Sequence, residues 1–139
     1  MALIICDADF LLKIVNEPLS SLRTYFDSSD FSFATIPQVV QELEGLARSN
    51  EKSTARRAKF ALNQVGSTVK LISEKEDRGV EADVALYECA RRMDMLVATL
   101  DGKLLSRFER NQIPYLTLRH DKPFERSFGR ATYLSTRKK

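Results

Sequence analysis

The sequence predicts a three-layer α/β/α domain built on a central, mostly parallel sheet of five strands. Apolar runs of five or six residues recur along the chain, with helix-periodic stretches between them. Two of these runs, residues 2 to 6 and 95 to 100, are apolar almost throughout, as in buried strands, while FSFATI alternates or runs apolar. The first two, ALIIC and MLVATL, end directly on an aspartate that leads into a helix.

The first strand is residues 2 to 6, closed by Asp7 and followed at once by the helical DFLLKIV. Asn16-Glu17-Pro18 marks a helix boundary, after which Leu19, Leu22 and Phe26 fall at helical spacing. FSFATI (31 to 36) reads as the second strand, and Pro37 opens the helix QVVQELEGLA from the position where first-turn prolines are favoured. Arg48 to Gly66 is rich in Lys, Arg and Ala, which gives a loop and an exposed helix ending near Gly66. TVKLI (68 to 72) is the third strand. Charged residues 74 to 78 and Gly79 form a loop, and VEADVALYECARRM a helix. MLVATL (95 to 100) is the fourth strand, Asp101 starts a helix running to about Asn111, and PYLTL (114 to 118) is the fifth strand.

A chain of 139 residues, 43% of them apolar, makes one globular domain with a core large enough to fold alone. Residues 1 to 118 form that domain and residues 119 to 139 a basic C-terminal tail. The tail carries seven Lys or Arg against two acids, and the body fifteen against seventeen. Such a tail either tracks a polyanion or stays solvated. No run reaches the roughly eighteen apolar residues of a membrane span, and Asp7 interrupts the apolar start before it makes a signal-peptide core, so a cytosolic, membrane-free protein is expected. Cys6 and Cys89 lie in apolar stretches without a CxxC partner and are expected to be buried free thiols.

In open α/β sheets, ligands bind beyond the carboxyl ends of the strands, where the strand order switches direction. Asp7 and Asp101 both fall on that edge. Asp7 follows an apolar run, where a charge needs neutralising; a metal would do so, and so would capping of the next helix, for which Asp9 is an equal candidate. Asp83 falls among Leu86, Tyr87 and Ala90 on the helical wheel, away from Glu81, Glu88, Arg91 and Arg92, so it is expected to face inward. Glu42 and Glu44 flank the stripe of Val39, Val40, Leu43, Leu46 and Ala47 by nearly equal angles, and periodicity does not choose between them. Asp101 doubles as a helix cap, with Thr99 competing. Carboxylates brought together raise one another's pKa, a penalty that a bound cation offsets. An all-oxygen set suits Mg²⁺ or Mn²⁺, and the single His120 argues against a histidine-based site.

Taken together, IICDADFLLK, PQVVQELEGLA, VEADVALYECA and VATLDGKL resemble the PIN-domain nuclease family over residues 3 to 118. The family pattern is an Asp closing strand one, a Glu preceding Leu in a helix, an Asp opening a later helix, and a TxD after strand four. The resemblance selects Glu42 over Glu44. It implies a catalytic, metal-binding set of Asp7, Glu42, Asp83 and Asp101, a supporting hydrogen bond from Thr99, and a place for Asp9 either beside the metal or as a cap. One departure is Asp9 itself, where the family commonly has a small hydroxyl or amide residue.

The activity implied is Mg²⁺- or Mn²⁺-dependent endoribonuclease hydrolysis, leaving 5′-phosphate and 3′-hydroxyl ends. The closing run is most similar to PIN proteins of archaeal and eukaryotic ribosomal RNA processing, while VapC-type toxins share the fold and would imply an antitoxin partner. RNA contacts are expected from Arg48, Lys52, Arg56, Arg57 and Lys59 near the acidic edge. They are also expected from Arg119, Arg126 and Arg130 in the tail, interleaved with Phe124, Phe128 and Tyr133; core packing explains the rings as well. A homodimer through the 19 to 26 helix is compatible with the resemblance, and core packing explains those apolar residues equally. A haloacid dehalogenase-type phosphatase, suggested by Asp7-Ala8-Asp9, lacks its GDxxxD motif, and a receiver domain lacks its phosphoacceptor Asp and its Lys. A non-catalytic RNA-binding or assembly module on the same fold is the remaining alternative.

Overall fold

The computed structural model describes residues 2–16, 31–72, 80–93, 95–120 and 122–129. The expected helix over 19 to 26, the loop over 74 to 79, Arg130 and Tyr133 lie outside these residues. The chain runs β1 (Ala2–Cys6), α1 (Ala8–Asn16), β2 (Phe31–Thr35), α2 (Pro37–Ala47), α3 (Lys52–Gln64), β3 (Val69–Leu71), α4 (Ala82–Met93), β4 (Leu96–Ala98), α5 (Gly102–Arg110), β5 (Tyr115–Arg119) and β6 (Lys122–Arg126). The strands form one sheet in the order β3-β2-β1-β4-β5-β6, parallel except for β5 with β6.

β1 is central, and Ile4, Ile5 and Cys6 are fully buried, which is why its sequence is apolar without alternation. From β1 the chain winds to β2 and β3 on one side, then crosses back to β4 and β5 on the other. Right-handed crossovers therefore place α1, α2 and α3 on one face and α4 and α5 on the opposite face. The contacts agree: α3 packs on α1 and α2, and α5 packs on α4. On the first face, α1 buries Phe10 and Leu11, and α3 buries Ala55, Ala58 and Ala61. These alanines at three-residue spacing let α3 lie close to its neighbours. On the second face, Tyr87 stacks on Phe108 and Phe108 on Tyr115, at centroid separations of 6.1 and 6.2 Å.

The expected sheet of five strands has a sixth. Lys122–Arg126, grouped with the basic tail on composition, pairs antiparallel with β5 from Arg119↔Lys122 to Tyr115↔Arg126. Composition concealed this strand because, as an edge strand half covered by solvent, it needs few apolar residues. Its attachment is specific: the Tyr115 hydroxyl donates to Glu109 Oε2 at 2.6 Å, Arg126 Nε donates to the same oxygen at 3.0 Å, and Phe128 meets Tyr115 edge-on. The turn into β6 passes through His120 at a φ of 54°, the left-handed conformation that a tight reversal requires. Cys6 and Cys89 are buried thiols outside any disulfide. Among the described residues, no helix is long and apolar enough to cross a membrane.

Candidate metal centre

The sheet order reverses direction between β1 and β4, so the crevice beyond their carboxyl ends is where a ligand site is expected. The backbone closes this crevice at its floor: the Asp7 amide donates to the Ala98 carbonyl at 2.9 Å, and the Thr99 amide to the Leu116 carbonyl at 3.1 Å. Asp7 is 8% exposed and Thr99 fully buried. The Thr99 hydroxyl donates to Asp7 Oδ2 at 2.8 Å and accepts the Asp101 amide at 3.1 Å, so one hydroxyl fixes two acids relative to each other. Asp7 Oδ1 accepts from the Ala8 amide at 2.8 Å, and the Asp7 carbonyl accepts the Leu11 amide, the first turn of α1.

Asp9 bridges two elements. Its Oδ1 accepts from the Phe10 amide at 2.6 Å and from the Leu100 amide at 3.3 Å, tying the first turn of α1 to the exit of β4. Asp101 caps α5 by accepting from the Lys103 amide at 3.0 Å. Asp83 sits in the first turn of α4, whose N-terminus points to the same edge because the helix runs back against parallel strands. Its Oδ1 accepts from the Val84 amide at 2.9 Å. Contrary to the inward-facing position expected from the helical wheel, Asp83 is exposed. The wheel is sound for Leu86, Tyr87 and Ala90, which are buried, but a first-turn residue lies beyond the sheet that would cover it.

Electrostatics join these acids into one set. The Asp7 carboxyl is pushed above the usual aspartate range, first by burial and then by Asp101 and Asp83, against the lowering effect of the Thr99 hydroxyl. Asp9 rises to about 6, from burial first and then from Asp7 and Asp101. Glu42 is also raised, by partial covering of its carboxyl and then by Asp7, Asp9, Asp101 and Asp83 in turn. Glu42, in the middle of α2, thus has its carboxyl in the field of all four aspartates. Among the described residues, no three of these groups draw together as tightly as the ligands of one ion. The donors are all carboxylate oxygens. Cys6, the residue before Asp7, is fully buried, donates its thiol to the Ile4 carbonyl and has that thiol raised by burial and by Asp7.

The sequence did not single out Thr35. It is fully buried at the end of β2, and its hydroxyl donates to the Cys6 carbonyl at 3.0 Å, fixing the backbone that carries Asp7. A threonine closing an apolar strand beside the site, as Thr99 does, was the available signal.

Residues 4–121 match the family model of the PIN-like domain. The chain belongs to the PIN-like domain family. The PIN-like fold is also seen in two solved structures to which the chain is similar. One is the PIN domain endonuclease Utp24, at 20% identity over 90% of this chain and 91% of that one, with a TM-score of 0.67. The other is a domain of a functionally unknown protein from Methanocaldococcus jannaschii DSM 2661, at 14% identity over 86% and 92%, with a TM-score of 0.57. At these identities the likeness carries the fold. No curated protein sequence matches the chain significantly.

The basic residues of this PIN-like domain are placed unevenly. Arg48 ends α2, and Lys52, Arg56, Arg57 and Lys59 stand exposed along α3. The Asn16 side chain, at the last residue of α1, donates to the Arg57 carbonyl at 3.0 Å. Arg57 therefore lies at the end of α1 remote from Asp7, about 13 Å along the axis at about 1.5 Å per residue. This differs from the expected position beside the acids. Arg119 lies over the Phe124 ring at 3.7 Å and Arg126 over Phe128 at 4.4 Å.

Proposed function

We propose that this PIN-like domain is an endoribonuclease dependent on Mg²⁺ or Mn²⁺, with Asp7, Glu42, Asp83 and Asp101 as the metal-binding set. The observation that carries this reading is Asp7: a buried carboxylate at the sheet's switch point, held by Thr99 and facing the charge of Asp101 and Asp83. Such a grouping is unfavourable by itself, and an oxygen-preferring dication offsets the repulsion. The donor set fits that ion class, with no imidazole or thiolate among it.

When bound, a divalent ion in such a site supplies an activated water for in-line attack on a phosphodiester and neutralises charge on the leaving oxygen. The chain's own residues preorganise the site. Thr99 orients Asp7 and Asp101 through one hydroxyl, Thr35 anchors the strand end, and the Ala8, Val84 and Lys103 amides each hold one carboxylate oxygen. Asp9, bonded to two amides on one oxygen, adds negative charge next to the set.

The test is cleavage of labelled single-stranded RNA in Mg²⁺ or Mn²⁺, with EDTA and Asp7→Asn as controls. Cleavage is expected only with metal and is expected to fall by roughly a hundredfold or more in Asp7→Asn, the scale of lost transition-state charge stabilisation. Cleavage that persists in EDTA, or is unchanged in Asp7→Asn, overturns the proposal. Tight RNA binding without cutting in Mn²⁺ favours a non-catalytic RNA-binding module.

A further inference from the structure

A groove of about 1170 Å³ runs between α5 and β5. Near the acids it is lined by Leu100 and Gly102, the residues on either side of Asp101, and by Arg119 at the carboxyl end of β5, and it reaches Arg110 at the far end of α5. It is thus continuous with the acidic crevice and larger than a site for one small molecule, for which about 300–1,000 Å³ is usual. Lys103, Ser106 and Arg110 follow one another at helical spacing and form one wall. Arg119 stands on the other side, its guanidinium over the Phe124 ring at 3.7 Å. Half-buried Leu105 supplies apolar surface beside them.

The charge of this groove is positive in effect. Its one acid, Glu109, is already engaged by the Tyr115 hydroxyl and by Arg126, while Lys103, Arg110 and Arg119 form no ion pair among the described residues. A cationic trough leading into a carboxylate cluster suits a polyanion whose backbone runs along the trough and ends at the acids. Resting on the nuclease reading above, we infer that this groove, and not the basic face of α3, holds single-stranded RNA beside the scissile bond. Lys103, Arg110 and Arg119 take the phosphates, and the Leu105 surface takes an unstacked base.

The experiment measures binding of a fluorescein-labelled single-stranded RNA to the full chain in EDTA, where nothing is cut, by anisotropy over a series of salt concentrations. The groove variant is Lys103→Gln with Arg110→Gln and Arg119→Gln; the control is Lys52→Gln with Arg56→Gln and Lys59→Gln. Thermal melts monitor folding, and the single variant Arg110→Glu repeats the test with minimal change.

The groove variant is expected to bind roughly tenfold more weakly or worse, and its salt slope to flatten by about 2, at about 0.7 per lost phosphate contact on a single strand. The control is expected to stay within about twofold. A groove variant that binds like the wild type overturns the inference, as does an equal loss in the control. Equal affinity for a duplex overturns the single-strand assignment, and displacement of the RNA by polyglutamate at equal concentration points to an acidic protein partner and overturns it too. Because binding is read without metal, the two proposals fail separately: binding through the groove without cleavage sinks the nuclease, and cleavage with unaltered groove-variant affinity sinks this inference alone.

Discussion

Replacing Asp9 with asparagine should make the metal-free protein more stable at neutral pH and leave it little changed in acid. The Asp9 carboxyl has its pKa raised from 3.8 to about 6, by burial and by Asp7 and Asp101. A carboxylate whose folded pKa lies above its unfolded value destabilises the fold wherever it is ionised. The penalty is absent below about pH 4, grows between pH 4 and 6, and is complete above pH 6. A shift of about two units corresponds to about 3 kcal/mol at about 1.4 kcal/mol per unit, which solvent screening at this half-buried position trims to about 2–3 kcal/mol. Asparagine is nearly isosteric, and its Oδ1 can keep both acceptor bonds, from the Phe10 and Leu100 amides. Asp9→Asn should therefore melt roughly 6–12 °C higher than the wild type at pH 7.5 in EDTA, taking about 3–4 °C per kcal/mol for a domain of this size. The wild type should stabilise on acidification from pH 7 to pH 4.5, while the variant shows a shallower dependence from Asp7 and Glu42, also raised. Scanning calorimetry across that pH range is the assay. A variant that melts no higher at pH 7.5, or gains as much at pH 4.5, refutes the claim that burial and the neighbouring Asp7 and Asp101 carboxylates disfavour ionised Asp9 in the folded state.

Thr99→Val removes the donor to Asp7 and the acceptor of the Asp101 amide at a fully buried position, and should destabilise the fold by about 1–3 kcal/mol in urea titration. Thr99→Ser, which keeps the hydroxyl, should restore most of that; a Thr99→Val protein as stable as the wild type would mean that the hydroxyl does not matter. Deleting residues 122 to 139 strips β6 from β5 and uncovers Tyr115, at an expected loss of about 2–4 kcal/mol from the partial burial of Phe124 and Phe128. An unchanged urea midpoint would return the whole segment to the status of a solvated tail.

The sheet was legible because its central strands β1 and β4 are buried on both faces and so lose alternation, and because Pro37 in a first turn and Asp101 as an N-cap punctuate two helices. β6 was not, since an edge strand half covered by solvent carries no apolar run and its pairing depends on contacts with residues distant in sequence, Glu109 among them. Asp83 shows the limit of the helical wheel, which assigns a face without knowing where the covering sheet ends.

Sequence alone determined the alternating α/β chain and the position of Asp7 and Asp101 at strand ends. These follow from local periodicity and residue chemistry. Tertiary structure decided that Glu42 has its carboxyl in the field of the four aspartates, that Thr99 joins Asp7 to Asp101, and that Arg57 lies at the remote end of α1 while Arg119 lines a groove beside the acids. Those facts depend on strand order, because only the placement of β1 beside β4 brings residues 7 and 99 within a hydrogen bond of each other.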